Sequence, residues 1–509
     1  MSIVDKVKGS ILRRVYDRRM RELGEVLKNP WRCQEEAFRV ILTAASSTAF
    51  GRDRGLTAGM TLAEFRRRVP CAPYEAFDPY IGRMLAGERS VLWPGLVREF
   101  SLTSGTTAAR GNKYIPFTRG VWLSNSKAAR DSLFFHVRRR GGDFGIFTGK
   151  MLFLGGTTTL NREGHGVYSG DLSALTIRRL PLLYRRYYLP GYRVGAIPDW
   201  EEKIDRIARM VRGVNLTFIS GIPSWVLVLL DKIRADHGKP EATLREIFPN
   251  FRLLISGGVN VHPYLDLFRR TVGPEVDFAE TYPASEAFIA VQDGAMGNGM
   301  LLEVDGGIFY EFVPAGRIEE DDPPRLALPE VKTGENYAIV LTTPGGLYGY
   351  ILGDTVRFVS TDPPRLVVTG RTKHFLSAFG EHLIVEEAEE AVRTACERTG
   401  ARVLDFTAAP VFPEKSGELP RHEWLVEFET PPEDLTAFER ILDERLGELN
   451  ADYAVHRRDD ASLLPPRVTV LRPGSFYAFM KARGKLGGQN KVPRLKNDRE
   501  FAEMLHELQ

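Results

Sequence analysis

The sequence predicts an α/β protein with a large N-terminal domain of parallel-rich sheets and helices, and a smaller, mobile C-terminal α/β domain. Three short apolar runs, at 151–156, 215–221 and 251–258, each end in glycine. Such runs are typical of buried strands in a parallel sheet. Helical segments alternate with them, which favours α/β architecture. The 509 residues are also too many for one small core.

The elements follow in chain order. Residues 1 to about 90 have helical character, and Pro30 stands where a helix over 31–45 can begin. Residues 300–370 contain strand-like runs separated by Gly, Pro and Asp, which predict a mostly antiparallel sheet or a small β-barrel-like subdomain. The C-terminal domain is predicted to consist of the following elements: a helix over 385–396, strands over 403–407 and 424–428, a helix over 435–449 and a strand over 467–471.

Composition narrows the class of protein. The net charge is only +3, which gives no argument for nucleic acid or an acidic membrane as the main partner, and a basic stretch at 13–21 is interpreted as a solvated helix face. The three cysteines form no C-x-x-C pair, and the first twenty residues lack the apolar core of a signal peptide. No apolar run is long enough to span a membrane. We therefore expect a cytoplasmic, monomeric, soluble enzyme.

A hydroxyl-rich loop is the first candidate site. Ser and Thr side chains surround Gly105 within 101–107, and Lys113 follows shortly after. Hydroxyl groups, backbone N–H groups and a nearby cation can together hold phosphate oxygens. The loop is not a Walker A motif, and taken alone such a cluster is more typical of an ordinary loop than of a phosphate site.

Further segments resemble, in the right order, the motifs of the adenylate-forming superfamily, which includes acyl-CoA ligases and luciferases. They are Tyr282–Glu286, Tyr350–Asp354, Gly370–Lys373, Glu386–Glu389 and Lys491 near the C-terminus. Within that superfamily the chain is similar to the Gretchen-Hagen-type acyl acid amido synthetases. The segments that carry this closer resemblance are 48–52, 69–70 followed by Tyr74, 103–107 with 113–116, 449–453, 473–476 and 489–494.

The resemblance implies ATP and Mg²⁺ as cofactors and a role for each matched residue. The β- and γ-phosphates would be held by Ser104, Gly105, Thr106, Thr107 and Lys113. Glu286 would bind Mg²⁺, and Ser285 would donate to the α-phosphate or the acyl carboxylate. The adenosine would contact Tyr282, Gly257, Gly258, Asp354 and Arg371.

Catalysis and domain motion are implied in the same way. Lys491 would bridge the acyl carboxylate and the α-phosphate as the catalytic lysine, with Lys113 as the second catalytic cation. Lys373 would be the hinge between an adenylation domain, 1–370, and a small domain, 371–509, that rotates between two half-reactions.

Each of these residues also has a structural alternative. Glu286 can be a solvated carboxylate at a helix start and Ser285 a helix N-cap. Tyr282 can be a core tyrosine, and Arg371 can form a surface ion pair. Three departures from the family pattern, Pro283, Ile351 and Asn490, put the acyl and amine specificity in doubt rather than the adenylation.

Three functions remain open from the sequence. The first is ATP-dependent activation of a carboxylic acid and transfer of its acyl group to an amino acid. The second is an acyl-CoA ligase with the same first step. The third is a non-catalytic nucleotide- or acyl-binding protein, against which the presence of Lys113, Glu286, Asp354 and Lys491 argues. The acid, the amine and the general base cannot be read from the sequence.

Overall fold

The chain forms two compact units. In this computed structural model the described residues are 3–103, 113–257, 265–372, 376, 381, 383–412, 419–450, 453–454, 457, 463–483, 492–496 and 498–507. The large unit comprises 1–261, 265–352 and 357–367, and the small unit comprises 262–264, 353–356 and 368–509.

The N-terminal part of the large unit is helical, as predicted. The second helix begins at Pro30, where the Asn29 side chain accepts the backbone N–H of Arg32. The helices of the large unit are α1 (Ile3–Lys28), α2 (Pro30–Ala45), α3 (Ala49–Asp53), α4 (Leu62–Arg68), α5 (Asp78–Leu85), α6 (Arg119–Arg139), α7 (Leu172–Arg179), α8 (Leu182–Arg185), α9 (Gly191–Gly195), α10 (Trp200–Met210), α11 (Pro223–Asp236), α12 (Leu244–Ile247) and α13 (Leu265–Val272).

The strands of the large unit include all three predicted apolar runs. In chain order they are β1 (Glu99–Thr103), β2 (Lys113–Pro116), β3 (Lys150–Leu154), β4 (Leu160–Gly164), β5 (Val167–Gly170), β6 (Tyr188–Leu189), β7 (Leu216–Gly221), β8 (Leu253–Gly257), β9 (Asp277–Pro283), β10 (Phe288–Val291), β11 (Met300–Leu302), β12 (Phe309–Pro314) and β13 (Asn336–Thr342). Two further strands, β14 (Tyr350–Thr361) and β15 (Pro364–Arg371), contribute residues to both units.

Across the described ranges, one sheet joins eleven of these strands. Their order is β12-β13-β14-β15-β11-β10-β9-β8-β7-β3-β6. Strands β6, β3, β7, β8 and β9 run parallel, which confirms the prediction of a parallel-rich sheet. Because ligands collect at the carboxyl ends of parallel strands, the ends of β8 and β9 are where a site is expected.

The strands of 300–370 pair differently from the barrel that their pattern suggested. The pairs β12–β13, β10–β11 and β11–β15 are antiparallel, as predicted. Instead of closing into a separate barrel, they extend the parallel sheet through the antiparallel β9–β10 pair. Local patterning specifies that a run is a strand, but it does not specify its distant pairing partner.

A second sheet of the large unit positions the hydroxyl-rich loop. Its order is β2-β1-β5-β4, in which Thr103 pairs with Lys113 across the antiparallel β1–β2 ladder. The loop residues 104–112 that connect these two strands lie outside the described residues.

The small unit is a compact α/β fold, as predicted. Strands β16 (Arg402–Val411), β17 (Arg421–Thr430) and β18 (Arg467–Leu471) form its sheet, antiparallel and then parallel. Its helices are α14 (Val385–Thr399), α15 (Leu435–Leu449), α16 (Ser475–Ala482) and α17 (Glu500–Glu507). Trp424, Phe438 and Tyr453 are fully buried in its core. No helix in the described part of either unit is both long and apolar enough to cross a bilayer.

Candidate active site

Ser285 and Glu286 lie in the tight turn between β9 and β10. The turn is closed by a hydrogen bond from the Ala284 N–H to the Ala287 carbonyl, 2.8 Å long. The structural alternatives from the sequence, a helix N-cap and a solvated helix-start carboxylate, are therefore wrong for these two residues. Both side chains are buried, and Glu286 is only 7 % exposed. A carboxylate so far removed from water requires compensating partners.

Tyr350, the first residue of β14, supplies one of those partners. Its hydroxyl donates to Glu286 Oε1 across 2.8 Å, and both side chains are buried. Burial, followed by the nearby Glu286 charge, holds the pKa of Tyr350 well above its usual value, so the phenol remains protonated and stays a donor. The contact fixes the orientation of the carboxylate that the sequence assigned to Mg²⁺.

Lys113 stands at the start of β2 and faces a second buried tyrosine. Its Nζ lies 5.5 Å from the centroid of the Tyr74 ring, and the Tyr74 hydroxyl accepts the backbone N–H of Tyr114 at 2.9 Å. The segment that carries Tyr74 is bridged to β14, since Ala72 accepts the backbone N–H of Ile351 at 2.9 Å. Tyr74 also contributes to the raised pKa of Tyr350.

These contacts bring two predicted site residues into one group. We call Lys113, Tyr74, Tyr350 and Glu286 the tyrosine-linked group. Tyr74 lies beside the Lys113 ammonium group and Tyr350 holds the Glu286 carboxylate. The hydrogen bond from Ile351 to Ala72 joins the two segments that carry these tyrosines. A cation and an oriented carboxylate are the groups that a polyphosphate with its hard metal ion requires.

Gly257, the last residue of β8, packs closely on β9. A Cβ at this position would lie 2.8 Å from Thr281 Oγ1 and 3.2 Å from a ring carbon of Pro283. The Ser285 Oγ and Ser256 Oγ atoms are buried and have no hydrogen-bond partner among the residues that the structure describes. Buried hydroxyl groups are normally satisfied, so these two fit a polar ligand such as a nucleotide at the ends of β8 and β9.

Tyr282 is a strand residue of β9 that pairs with Ala290 of β10. The side chain is 6 % exposed, which matches the alternative interpretation of Tyr282 as a core tyrosine. Its neighbours on β9 nevertheless place it at the same strand end as Ser285 and Gly257.

The two predicted ribose contacts belong to the small unit and pair with each other. Arg371 Nε lies 3.0 Å from Asp354 Oδ1, with the arginine side chain 54 % exposed. Gly353, immediately before Asp354, adopts a left-handed φ of 91°, and its carbonyl accepts the backbone N–H of Thr372 at 2.9 Å. The ion pair matches the structural alternative for Arg371, and an arginine bound to a carboxylate retains other donors for a ligand.

Several predicted site residues lie outside the described ranges. They are Ser104, Gly105, Thr106, Thr107, Gly258, the hinge Lys373 and the catalytic Lys491. The structure describes the chain that leads away from Lys491. The Pro493 carbonyl accepts from Thr407 Oγ1 at 2.7 Å, and the Arg494 carbonyl accepts the Ala408 N–H at 2.9 Å. The segment after Lys491 is therefore fixed along β16.

The Arg494 side chain strengthens this attachment. It forms ion pairs with Asp405 of β16 and with Glu389 of α14, the latter at 3.3 Å, and its guanidinium lies 4.6 Å from the centroid of the Phe406 ring. The side chain is only 12 % exposed, so these charge-assisted contacts are largely shielded from water.

The other C-terminal segments of the family resemblance also support the small unit's framework. Asn450 Nδ2 donates to Glu387 Oε2 at 2.9 Å, at the end of α15. Glu427 accepts the backbone N–H groups of Gly474 and Phe476, at 2.6 and 3.1 Å, at the start of α16. These residues hold helices in place, and their described contacts are to the protein itself.

Tyr74 and Tyr350 lie in segments that resemble the family, but the sequence predicts a role for neither. The available signal was their position, since each is a tyrosine inside a matched segment. Their contacts with Lys113 and Glu286 depend on distant pairing and become visible only in the fold.

Two solved structures share the fold of this chain. A solved GH3.15 acyl acid amido synthetase has a TM-score of 0.76 at 19 % identity, covering 95 % of each chain. A 2-hydroxyisobutyryl-CoA ligase in its postadenylation state has a TM-score of 0.59 at 15 % identity, covering 94 % of this chain and 90 % of the ligase. This chain therefore shares the fold of these two enzymes.

The family follows from the sequence. The GH3 family N-terminal domain matches residues 19–178, the central domain residues 301–371 and the C-terminal domain residues 386–500, together about two thirds of the chain. A jasmonoyl–L-amino acid synthetase from Nicotiana attenuata is 24 % identical over 93 % of this chain and 92 % of its own length. An indole-3-acetic acid-amido synthetase from Arabidopsis thaliana is 22 % identical over 93 % and 91 %. The chain belongs to the GH3 family of acyl acid amido synthetases, and it is a ligase.

Proposed function

We propose that this protein activates a carboxylic acid with ATP and transfers the acyl group to the amine of an amino acid. The observation that supports the proposal is the tyrosine-linked group, in which Lys113 lies beside Tyr74 and Tyr350 orients Glu286, in a chain of the GH3 family. The relatives named above are a jasmonoyl–L-amino acid synthetase and an indole-3-acetic acid-amido synthetase, both named for joining an acid through an amide. The acid and the amine that this protein uses are tested by the screen described below.

In the first half-reaction, a carboxylate oxygen of the acid bonds to the α-phosphorus of ATP. The bond from that phosphorus to the bridging oxygen breaks, and pyrophosphate leaves. Two anions approach each other, so preorganised cations and donors lower the barrier. In the second half-reaction, the amine nitrogen bonds to the acyl carbon, the bond from that carbon to the AMP oxygen breaks, and the amine loses a proton.

The large unit supplies the phosphate and metal contacts in this proposal. Lys113 holds the terminal phosphates together with the hydroxyl-rich loop, namely Ser104, Gly105, Thr106 and Thr107. Glu286 would hold Mg²⁺, a hard cation that favours carboxylate oxygens, and the Tyr350 hydroxyl orients that carboxylate. The ion would neutralise phosphate charge as pyrophosphate departs.

The nucleoside lies at the ends of β8 and β9 in this proposal. Gly257 and Gly258 would line the adenine pocket, and Tyr282 would lie against the base. Ser285 Oγ donates to the α-phosphate or to the acyl carboxylate, which would satisfy a hydroxyl that has no described protein partner.

The small unit supplies the remaining contacts. Asp354 accepts from the ribose hydroxyl groups and Arg371 adds a second contact. Lys491 bridges the acyl carboxylate and the α-phosphate, on a segment that Arg494 attaches to β16. We propose Lys373 as the hinge and residues 371–509 as the rotating domain, which would exchange the groups offered to each half-reaction.

A screen of acid-dependent pyrophosphate release, repeated with each amino acid and with coenzyme A, tests the proposal. We expect pyrophosphate release with a subset of acids and AMP release that depends on an amino acid. AMP release that depends on coenzyme A alone would favour the acyl-CoA ligase alternative. Failure of every acid to release pyrophosphate would favour a non-catalytic binding protein.

We also propose a cytoplasmic location and a monomeric state. The three cysteines Cys33, Cys71 and Cys396 are free thiols. Unpaired cysteines are usual in a reducing compartment. Light scattering of the purified chain, together with fractionation of the source cells, tests both statements.

A further inference from the structure

One segment of the large unit has a composition unlike the rest of the chain. Residues 172–198, here called the arginine–tyrosine segment, contain five arginines and four tyrosines and no aspartate or glutamate. The whole chain has 69 basic and 66 acidic side chains, so charge is otherwise balanced. The segment includes α7, α8, β6 and α9, at the edge of the eleven-stranded sheet.

Apolar side chains protrude from this segment into solvent. Leu182 is 78 % exposed, Tyr184 60 % and Tyr192 54 %, which makes them three of the four most exposed large hydrophobic side chains in the described ranges. Single exposed apolar residues are ordinary, but several in one short stretch are typical of an interaction site.

Three arginines of the segment lack a carboxylate partner. Arg185, Arg186 and Arg193 form no ion pair among the described residues, whereas Arg178 and Arg179 both face Glu99. Arg185 donates only to the backbone carbonyls of Leu180 and Arg178, at 3.0 and 2.7 Å. Arg186 lies 4.9 Å from the centroid of the Tyr187 ring. Their positive charge is therefore available to an external anion.

The protruding and charged side chains share one place on the fold. Arg185 of α8 and Tyr192 of α9 line the same cavity of about 400 Å³, with Tyr188 of β6 between them in sequence. Lys150 adds another cation beside the segment, with its Nζ 5.9 Å from the centroid of the Tyr187 ring. Leu182 and Tyr184 belong to the same short helix as Arg185, so exposed leucine, tyrosine and unpaired arginine lie within a few residues of this cavity.

We propose that the arginine–tyrosine segment is a docking surface for an anionic lipid bilayer. Tyrosine is favoured at the headgroup level of a membrane, aliphatic side chains insert beside it, and arginine pairs with lipid phosphates and carboxylates. A nucleic acid would use the arginines and the aromatic rings but has no use for Leu182, the most exposed of the three apolar side chains. The contact is peripheral and reversible, since a short apolar anchor with few charges binds weakly.

Sedimentation of the full chain with lipid vesicles tests this surface. We expect binding to vesicles that mix phosphatidylcholine and phosphatidylserine, no binding to phosphatidylcholine alone, and loss of binding at high salt. The triple variant Arg185→Gln, Arg186→Gln, Arg193→Gln should weaken binding about a hundredfold, since each arginine near such a surface contributes about fivefold. Leu182→Ser should weaken binding without changing its salt dependence.

Matched variants separate this surface from general charge. Arg14→Gln, Arg67→Gln, Arg209→Gln removes the same number of exposed arginines elsewhere on the large unit, and Ile11→Ser removes another exposed aliphatic side chain. Both controls should bind vesicles as the parent does. Equal binding to neutral and anionic vesicles, or equal loss in the control triple, would overturn the proposal. It would also be overturned if the segment triple lost affinity for transfer RNA while no form of the protein sedimented with vesicles.

Discussion

The two compact units hold their motif residues in different ways. In the large unit, the motif residues contact one another, as Tyr350 contacts Glu286 and Lys113 faces Tyr74. In the small unit, the C-terminal motif residues contact the framework, as Arg494 contacts Asp405. In the proposed mechanism the contacting residues of the large unit would be the phosphate and metal ligands, whereas the small unit's C-terminal motif residues fix the backbone that follows Lys491. We therefore expect the effect on activity to be different when a ligand, a ligand's partner or a framework contact is lost.

The largest effect is expected at Lys491. In Lys491→Ala, acid-dependent pyrophosphate release should fall on the order of 100- to 1000-fold, because a preorganised cation for the transition-state charge is lost. ATP binding, measured by calorimetry, should persist, since Lys113 and the hydroxyl-rich loop remain. Lys496→Ala is the matched control, because Lys496 lies on the same segment and pairs with Asp498 at 3.4 Å. An equal loss in Lys496→Ala would remove the distinction between the two lysines.

The next effect is expected at Tyr350. In Tyr350→Phe, Glu286 loses a donor, so the affinity for Mg²⁺ should fall about 10- to 100-fold, measured by magnesium titration of pyrophosphate release. Tyr348→Phe is the control, since the Tyr348 hydroxyl donates to the Leu92 carbonyl at 2.5 Å instead. Each variant should lower the free energy of unfolding by about 1–3 kcal/mol. If both variants shifted the magnesium requirement equally, the tyrosine-linked group would have no special role.

A smaller effect is expected at Arg494. In Arg494→Lys, the forked contacts with Asp405 and Glu389 are lost while the charge remains. The turnover rate should fall about tenfold through misplacement of Lys491, with the KM for ATP unchanged. Arg499→Lys is the control, because Arg499 also pairs with a carboxylate, Glu423 at 2.8 Å, and donates to a backbone carbonyl. A loss of stability without a change in turnover would assign Arg494 to the framework alone.

The smallest effect on activity is expected at Glu303, a buried acid of the large unit outside the candidate site. Burial, with the nearby Asp131 charge, raises the pKa of Glu303 to about 8. In the unfolded chain this acid ionises near its usual value, so between about pH 4.5 and 8 the folded protein binds more protons. Stability from this group is fully present below pH 4.5 and is lost as the pH rises towards 8.

Glu303→Gln tests that assignment. The variant should lack this loss, so its unfolding midpoint should decline less between pH 5 and 8 than that of the parent, while its turnover rate stays unchanged. Thermal unfolding at several pH values measures the unfolding midpoint, and the pyrophosphate assay measures the turnover rate. An unchanged pH profile would show that the carboxyl group ionises normally in the folded chain.

The bounds of individual helices and strands could be predicted from the sequence, whereas the contacts between these elements could not. The helix over 435–449 and the strand over 467–471 have the predicted bounds, because capping, periodicity and turn residues are local signals. The extension of the large sheet by β10 to β15 and the turn around Glu286 depend on strand pairing over long separations. For the same reason the sequence indicates that Tyr350 belongs to a motif, but it does not predict the hydrogen bond to Glu286, 64 positions away.

The choice of acceptor is the most direct test of the central claim, that this adenylating enzyme makes amides. A carboxylic acid that supports pyrophosphate release is incubated with the protein, ATP, Mg²⁺, mixed amino acids and coenzyme A, and the products are measured by mass spectrometry. We expect an N-acyl amino acid and AMP in equal amounts, without a thioester. A coenzyme A thioester, with AMP release that is independent of amino acids, would contradict it.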